Sequence, residues 1–158
     1  MHERVPAQSL IEEVVELEAA EPRPGRLARL FGVSPLPNDA RPWYIGAQGE
    51  RLVANLLARL PSGWRVFHSV PVGGIAADID HLVVGPAGVF AIEAKHHRGK
   101  QVWVAGRVLM VAGQRRPHIV HAEAQAAQVV RVLRAESLPT VPVRPVVALV
   151  GVLSLIHI

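Results

Sequence analysis

The chain has 158 residues, half of them hydrophobic and 19% charged, with no cysteine and a formal net charge of +4. That balance excludes a disordered chain and a disulfide or thiolate scaffold, and the length suits one domain with a proper core. No apolar run reaches the roughly 18 residues of a membrane span and the N-terminus lacks a signal-peptide apolar region, so a cytoplasmic protein without membrane contact is expected.

Charge is unevenly spread. Six of the 13 acids lie in the first 21 positions, and after Ala40 there are 13 Lys/Arg against six Asp/Glu. Between His96 and Ala122 no acid occurs, while Arg98, Lys100, Arg107, Arg115 and Arg116 do. A basic body suits a polyanion, with nucleic acid the expected partner; solubility alone is the competing explanation.

Residues 8–20 set Leu10, Ile11, Val14, Val15 and Leu17 among Glu12, Glu13, Glu16 and Glu18, the pattern of an amphipathic helix with a solvated acidic face. Glu21-Pro22-Arg23-Pro24-Gly25 ends it, and Pro35, Pro37, Asn38 and Pro42 read as a linker. Residues 1–40 are thus an N-terminal helical extension ahead of a globular domain that begins near Arg41. Residues 43–60 repeat Ile45, Leu52, Val53, Leu56, Leu57 and Leu60 at the 3.6 period, and Pro61-Ser62-Gly63 stops that helix. Glu50 lies at the edge of the apolar stripe, where an acid needs a partner or water; a rim glutamate beside Arg51 or Arg131 and a functional acid are both open. Gly46 and Gly49 lower helix propensity, which implies close approach of another element.

Residues 64–70 read as a strand and Pro71-Val72-Gly73-Gly74 as a loop. Next come Asp78-Ile79-Asp80-His81-Leu82-Val83-Val84 and Val89-Phe90-Ala91-Ile92-Glu93-Ala94-Lys95, joined by Gly85-Pro86-Ala87-Gly88: two strands around a turn. A symmetric turn sets Gly85 against Gly88, Leu82 against Ala91 and Asp80 against Glu93. With a period of two, Asp78, Asp80, Leu82 and Val84 share a face with Val89, Ala91, Glu93 and Lys95. Opposed carboxylates repel at Cβ separations of roughly 4.5–5.5 Å, and a hard divalent cation with oxygen ligands would relieve them. Lys95 lies on that face, so the constellation suits catalysis. Asp78 falls opposite Lys95 as a salt-bridge partner, and His81 points away from the acids as a packing residue.

Residues 96–100 form a polar turn, whose His96 and His97 are read as solvated although imidazole also suits zinc. Val102-Trp103-Val104 and residues 108–111 make a second hairpin around Ala105-Gly106-Arg107, with Trp103 as packing in preference to a base-stacking platform. Residues 121–134 are a second core helix, and 143–153 an apolar run best read as a buried strand.

The blocks Gly46-Ala47-Gln48-Gly49-Glu50, 78–84 and 88–95, in that order, resemble the nuclease-related domain (NERD) family of the PD-(D/E)XK nuclease superfamily. The resemblance covers about residues 41–152. It implies an α/β, restriction-endonuclease-like fold with a central mixed β-sheet flanked by helices. It also implies that Asp80, Glu93 and the Ala94 carbonyl hold Mg²⁺, or Mn²⁺ in its place, with Glu50 ligating directly or through water. Lys95 matches the lysine that activates the attacking water, and Gln125 the second-helix glutamine, although His121 and Ala122 stand where the family often has Asn-Pro. The expected function is metal-dependent phosphodiester hydrolysis by an endonuclease on DNA, or on RNA, with Arg98, Lys100, Arg115 and Arg116 on the phosphate backbone. The alternatives are a silent nucleic-acid-binding module, or a sensing domain of a larger defence or repair protein.

Residues 153–158, Leu-Ser-Leu-Ile-His-Ile, are what CTG-TCT-CTT-ATA-CAC-ATC encodes, a match to a transposon-end adapter. They are expected to be a non-native tail, the natural chain continuing differently after about Val152.

Overall fold

The computed structural model describes residues 4–20, 25, 27, 30–32, 34, 36–72, 78–136 and 141–158. Pro22 and Pro24 of the expected helix stop, Pro35 of the expected linker, and Gly73 and Gly74 of the expected loop lie outside the described residues.

Helix α1 is Gln8–Ala20, as its periodicity predicts. Helix α2 is Ala40–Leu57, starting and stopping earlier than the expected 43–60. Pro42 explains the early start: in the first helical turn the N–H it lacks has no intrahelical acceptor, so it opens the helix instead of ending a linker. Strands follow at Arg65–Val70 (β1), Ile79–Gly85 (β2), Gly88–His96 (β3), Gln101–Ala105 (β4), Val108–Val111 (β5) and Gln114–Arg116 (β6). Helix α3, His118–Ala135, begins three residues before the expected 121, directly after Pro117. Strand β7 is Val143–Val150 and β8 is Ser154–His157.

The central sheet has the order β1-β2-β3-β7. Its first two pairings are antiparallel and β3–β7 is parallel, so the sheet is mixed. The β2–β3 register is the predicted one, with Gly85 opposite Gly88, Val84 opposite Val89 and Leu82 opposite Ala91. Helices cover both faces. Val53 of α2 packs with Val83, Phe90, Ile92 and Ala94, whereas Ala126 and Val129 of α3 pack with Leu82, Ala91 and Val143. The alternation along β3 is the period-two rule at work and sends Glu93 and Lys95 to the α3 side. This is the α/β, restriction-endonuclease-like arrangement that the sequence implied.

Two features were not foreseen. A second sheet, β6-β5-β4-β8, buries Val102, Leu109 and Val111 against Val147 and Leu149 of β7. Its strand β8 comes from the tail that was set aside, paired in parallel with β4 from Gln101↔Ser154 to Val104↔His157. The N-terminal helix is also docked on the body: a Cβ on Gly46 would lie 3.1 Å from Leu10 Cδ1. Gly46 thus admits α1, and Gly49 admits β3, where a Cβ would meet His96 Cβ at 2.9 Å. Both glycines sit at close approaches, as their low propensity suggested.

Among the described residues no helix is long and apolar enough to cross a membrane.

Candidate active site

The β2–β3 ladder runs as far as His81↔Ile92 and stops one pair short of Asp80. There the Asp80 side chain takes over, and the Ala94 backbone N–H donates to its Oδ2 at 2.7 Å. Asp80 is therefore tied to the strand that carries Glu93 and Lys95 through a fixed charge-assisted bond. On β3 the Lys95 ammonium pairs with Glu93 Oε1 at 2.9 Å. Glu93 is only 4% exposed, and its Oε2 is buried without a hydrogen-bond partner.

Burial pushes the Asp80 carboxyl up to about 6; the Ala94 N–H and Lys95 act against this, and the charges of Glu93 and Asp78 add to it. Glu50, on α2, is 6% exposed. Burial pushes it up to about 8, with Asp80 adding to the rise, while the N–H of Ala7 and the charge of Lys95 pull it down. Glu50, Asp80, Glu93 and Lys95 thus act on one another as a single electrostatic cluster. The charge of Asp78 adds to the rise of both Glu50 and Asp80.

Gln125 falls on the stripe of α3 that faces the sheet, between Ala122 and Ala126, which are both buried. Its Oε1, like Glu93 Oε2, is a buried acceptor without a donor. Buried acceptors of this kind call for a cation or a bound donor. Among the described residues, no group of three or more His, Asp or Glu side chains is arranged to hold a metal ion by itself. Two carboxylates and a backbone carbonyl suit Mg²⁺ nonetheless, because that ion keeps several waters and uses one or two protein carboxylates.

Two readings need correction and a third stands. Asp78 does not pair with Lys95: it accepts from Arg4 Nη1 at 2.6 Å and from Ser9 Oγ at 2.5 Å. The cause lies opposite, at Ser69, whose φ of 47° interrupts the β1–β2 ladder at Asp80. Alternation breaks there, so Ile79 packs in one cluster with Leu82 and Asp78 turns away from Lys95. Glu50 is not a rim residue beside Arg51 or Arg131; the Arg131 guanidinium bonds Gln128 instead. His81 packs as expected on the face away from the acids, fully buried with Nδ1 2.9 Å from His68 Nδ1, yet its Nε2 lacks a partner. Burial, with His68 beside it, pushes His81 down to about 4.

The turn histidines are not simply solvated either. His96 Nδ1 lies 3.1 Å from the Ile45 carbonyl, which ties β3 to α2. His97 Nε2 lies 2.9 Å from His118 Nε2 at the start of α3. Burial lowers both, to about 4 for His118, and Lys95 and Arg116 act in the same direction. Arg98, Lys100, Arg115 and Arg116 are exposed, on the β3–β4 turn and on β6. Trp103 is half-buried on β4, directly opposite Met110 of β5 and Ile156 of β8.

Sequence reasoning missed Arg4, Ala7, Ser69 and His118. Nothing in their local pattern marks them, since each acts through a partner more than twenty positions away.

The sequence model of a family described as "nuclease-related domain" matches residues 45–150. An uncharacterised protein of Bacillus anthracis is 38% identical over 69 residues, 41% of this chain and 31% of that protein, so the match spans under a third of the relative's length. No solved structure matches the chain.

Proposed function

We propose, on the premise that this chain belongs to the nuclease-related domain (NERD) family, that it is a Mg²⁺-dependent nuclease hydrolysing phosphodiester bonds of nucleic acid, with DNA as the first substrate. The observation that carries this reading is the meeting of Asp80, Glu93 and Lys95 across neighbouring strands, with Glu93 Oε2 buried and unbonded.

Asp80, Glu93 and the Ala94 carbonyl would hold the ion, Glu50 directly or through water. The carbonyl is suitably placed because a strand residue offers its N–H and C=O to the same neighbour, and the Ala94 N–H already reaches Asp80. A bound Mg²⁺ supplies Lewis acidity and lowers the pKa of water. Lys95, 30% exposed at its side chain, can hold an attacking water and offset charge on the phosphate while Glu93 fixes its position. Gln125 offers a further polar contact at the same face. Arg98, Lys100, Arg115 and Arg116 line a route for phosphates without reading bases.

The test is incubation of the purified chain with plasmid, linear and branched DNA and with RNA, in Mg²⁺, Mn²⁺ or EDTA. Cleavage that disappears in EDTA and in Asp80→Ala and Lys95→Ala supports the reading. Binding without cleavage under every metal replaces it with a silent nucleic-acid-binding module.

A further inference from the structure

Arg41, Tyr44, Ile45 and Gln48 are spaced at i, i+3, i+4 and i+7, so they share one face of α2. All four are exposed. They line a cleft of about 850 Å³ where α2 passes the end of β3, with His96 and Arg98 on the β3 side and Glu18 of α1 on another wall. That size is within the roughly 300–1,000 Å³ of small-molecule sites. The β3 side is tied to the helix, with His96 Nδ1 3.1 Å from the Ile45 carbonyl. Two observations mark the cleft as a binding surface. Arg41 and Arg98 form no ion pair among the described residues, whereas Arg4 and Arg107 each pair with an acid. Tyr44 is 47% exposed, and neither its ring nor its hydroxyl has a partner among the described residues.

We infer that this cleft takes one unpaired nucleotide of DNA, its base stacked on the Tyr44 ring and its phosphates paired with Arg41 and Arg98. A bare aromatic ring beside uncommitted cations is the combination that holds single strands, stacking for the base and charge for the backbone. The inference deepens the nuclease reading, on which it rests for the passage of the strand by Lys95. His96 follows that lysine on β3, and Arg98 lies three residues beyond it. A base inside a duplex has both faces covered by its neighbours and cannot stack on a side chain, so single-stranded or branched DNA is the substrate class. Gln48 offers an amide donor and acceptor to a base edge. Glu18 repels phosphate at its own wall, which leaves the phosphates to the arginines.

The experiment is fluorescence anisotropy of the full chain in EDTA, with a labelled single-stranded oligonucleotide and with its blunt duplex, and with each variant's melting temperature recorded. The parent should bind the single strand more tightly. Tyr44→Ala should weaken single-strand binding about 5- to 150-fold, the alanine cost of one stacked base, and leave duplex binding unchanged. Tyr44→Phe keeps the ring and should bind as the parent does. Arg41→Ala and Arg98→Ala should each lower the slope of log single-strand affinity against log salt by about 0.7 unit. A folded Tyr44→Ala chain that binds the single strand as tightly as the parent, or loses both DNA forms equally, overturns the inference. Cleavage in Mg²⁺ is read separately. A parent that cleaves yet binds duplex at least as tightly as single strand overturns the inference alone. Single-strand binding that depends on Tyr44, with no cleavage in any metal, keeps the cleft and overturns the nuclease reading. A parent that neither binds nor cleaves DNA overturns both.

Discussion

Glu93 and Lys95 sit two residues apart on one face of β3, and the lysine ammonium holds one oxygen of a carboxylate whose other oxygen is buried without a donor. The pair is therefore only half satisfied. Removing the lysine leaves a buried charge with nothing to balance it. Lys95→Met should lower stability by about 1–3 kcal/mol, the cost of an unsatisfied buried acceptor, read from the urea midpoint at neutral pH. Adding Glu93→Gln should recover much of the loss, because replacing both members of an ion pair is far gentler than removing one. Cleavage should stay absent in both variants.

Acidity supplies a second expectation. Glu50 is raised to about 8 and Asp80 to about 6. A carboxyl whose folded value exceeds its unfolded one binds more protons when folded, so stability falls as pH rises between the two values. Metal-free protein should lose melting temperature from about pH 4 to 8, in two overlapping steps. Mn²⁺ requires the ionised carboxylates, so its affinity should climb through the same range and flatten the loss. Melting curves that are level in pH without metal would contradict this burial of the acids.

A third concerns the seam between α2 and β3. Gly49→Ala gains up to roughly 1 kcal/mol of helix propensity, but its Cβ would meet His96 Cβ at 2.9 Å. Overpacking of that kind costs about 1–3 kcal/mol, so the clash should win. The urea midpoint should fall, and Glu50, the next residue, should shift with the helix and weaken cleavage.

Salt dependence tests the phosphate route. Arg98, Lys100, Arg115 and Arg116 are exposed. Neutralising any one that meets a phosphate should lower the slope of log affinity against log salt by about one unit, with little effect on sequence preference. Filter-binding at several salt concentrations measures this, and unchanged slopes in all four variants would move the route elsewhere.

Much of the central sheet was legible because its rules are local. The Gly85-Pro86-Ala87-Gly88 turn fixes the register, and the alternation of Phe90, Ala91 and Ile92 assigns the faces, so Glu93 and Lys95 could be placed from spacing alone. Asp78 was misplaced because alternation assumes an unbroken ladder, and the break is at Ser69 on a different strand. The burial of Glu50 was illegible for a similar reason: α2 is packed by an N-terminal segment far upstream in the chain, with Leu10 against Gly46. Pro42 misled because proline at a helix start and proline in a linker look alike until the cap is seen. His97 read as a turn residue, since its partner His118 is brought near only when α3 folds back.

Strand β3 is flanked on one side by its hairpin partner and on the other by β7, which the chain supplies only after β4, β5, β6 and α3. Until residues 143–150 arrive, the outer border of β3 has a row of bare amides and carbonyls next to Val89 and Ile92. A nascent or shortened chain that stops before them offers a sticky template to its own copies, and self-association should compete with maturation there.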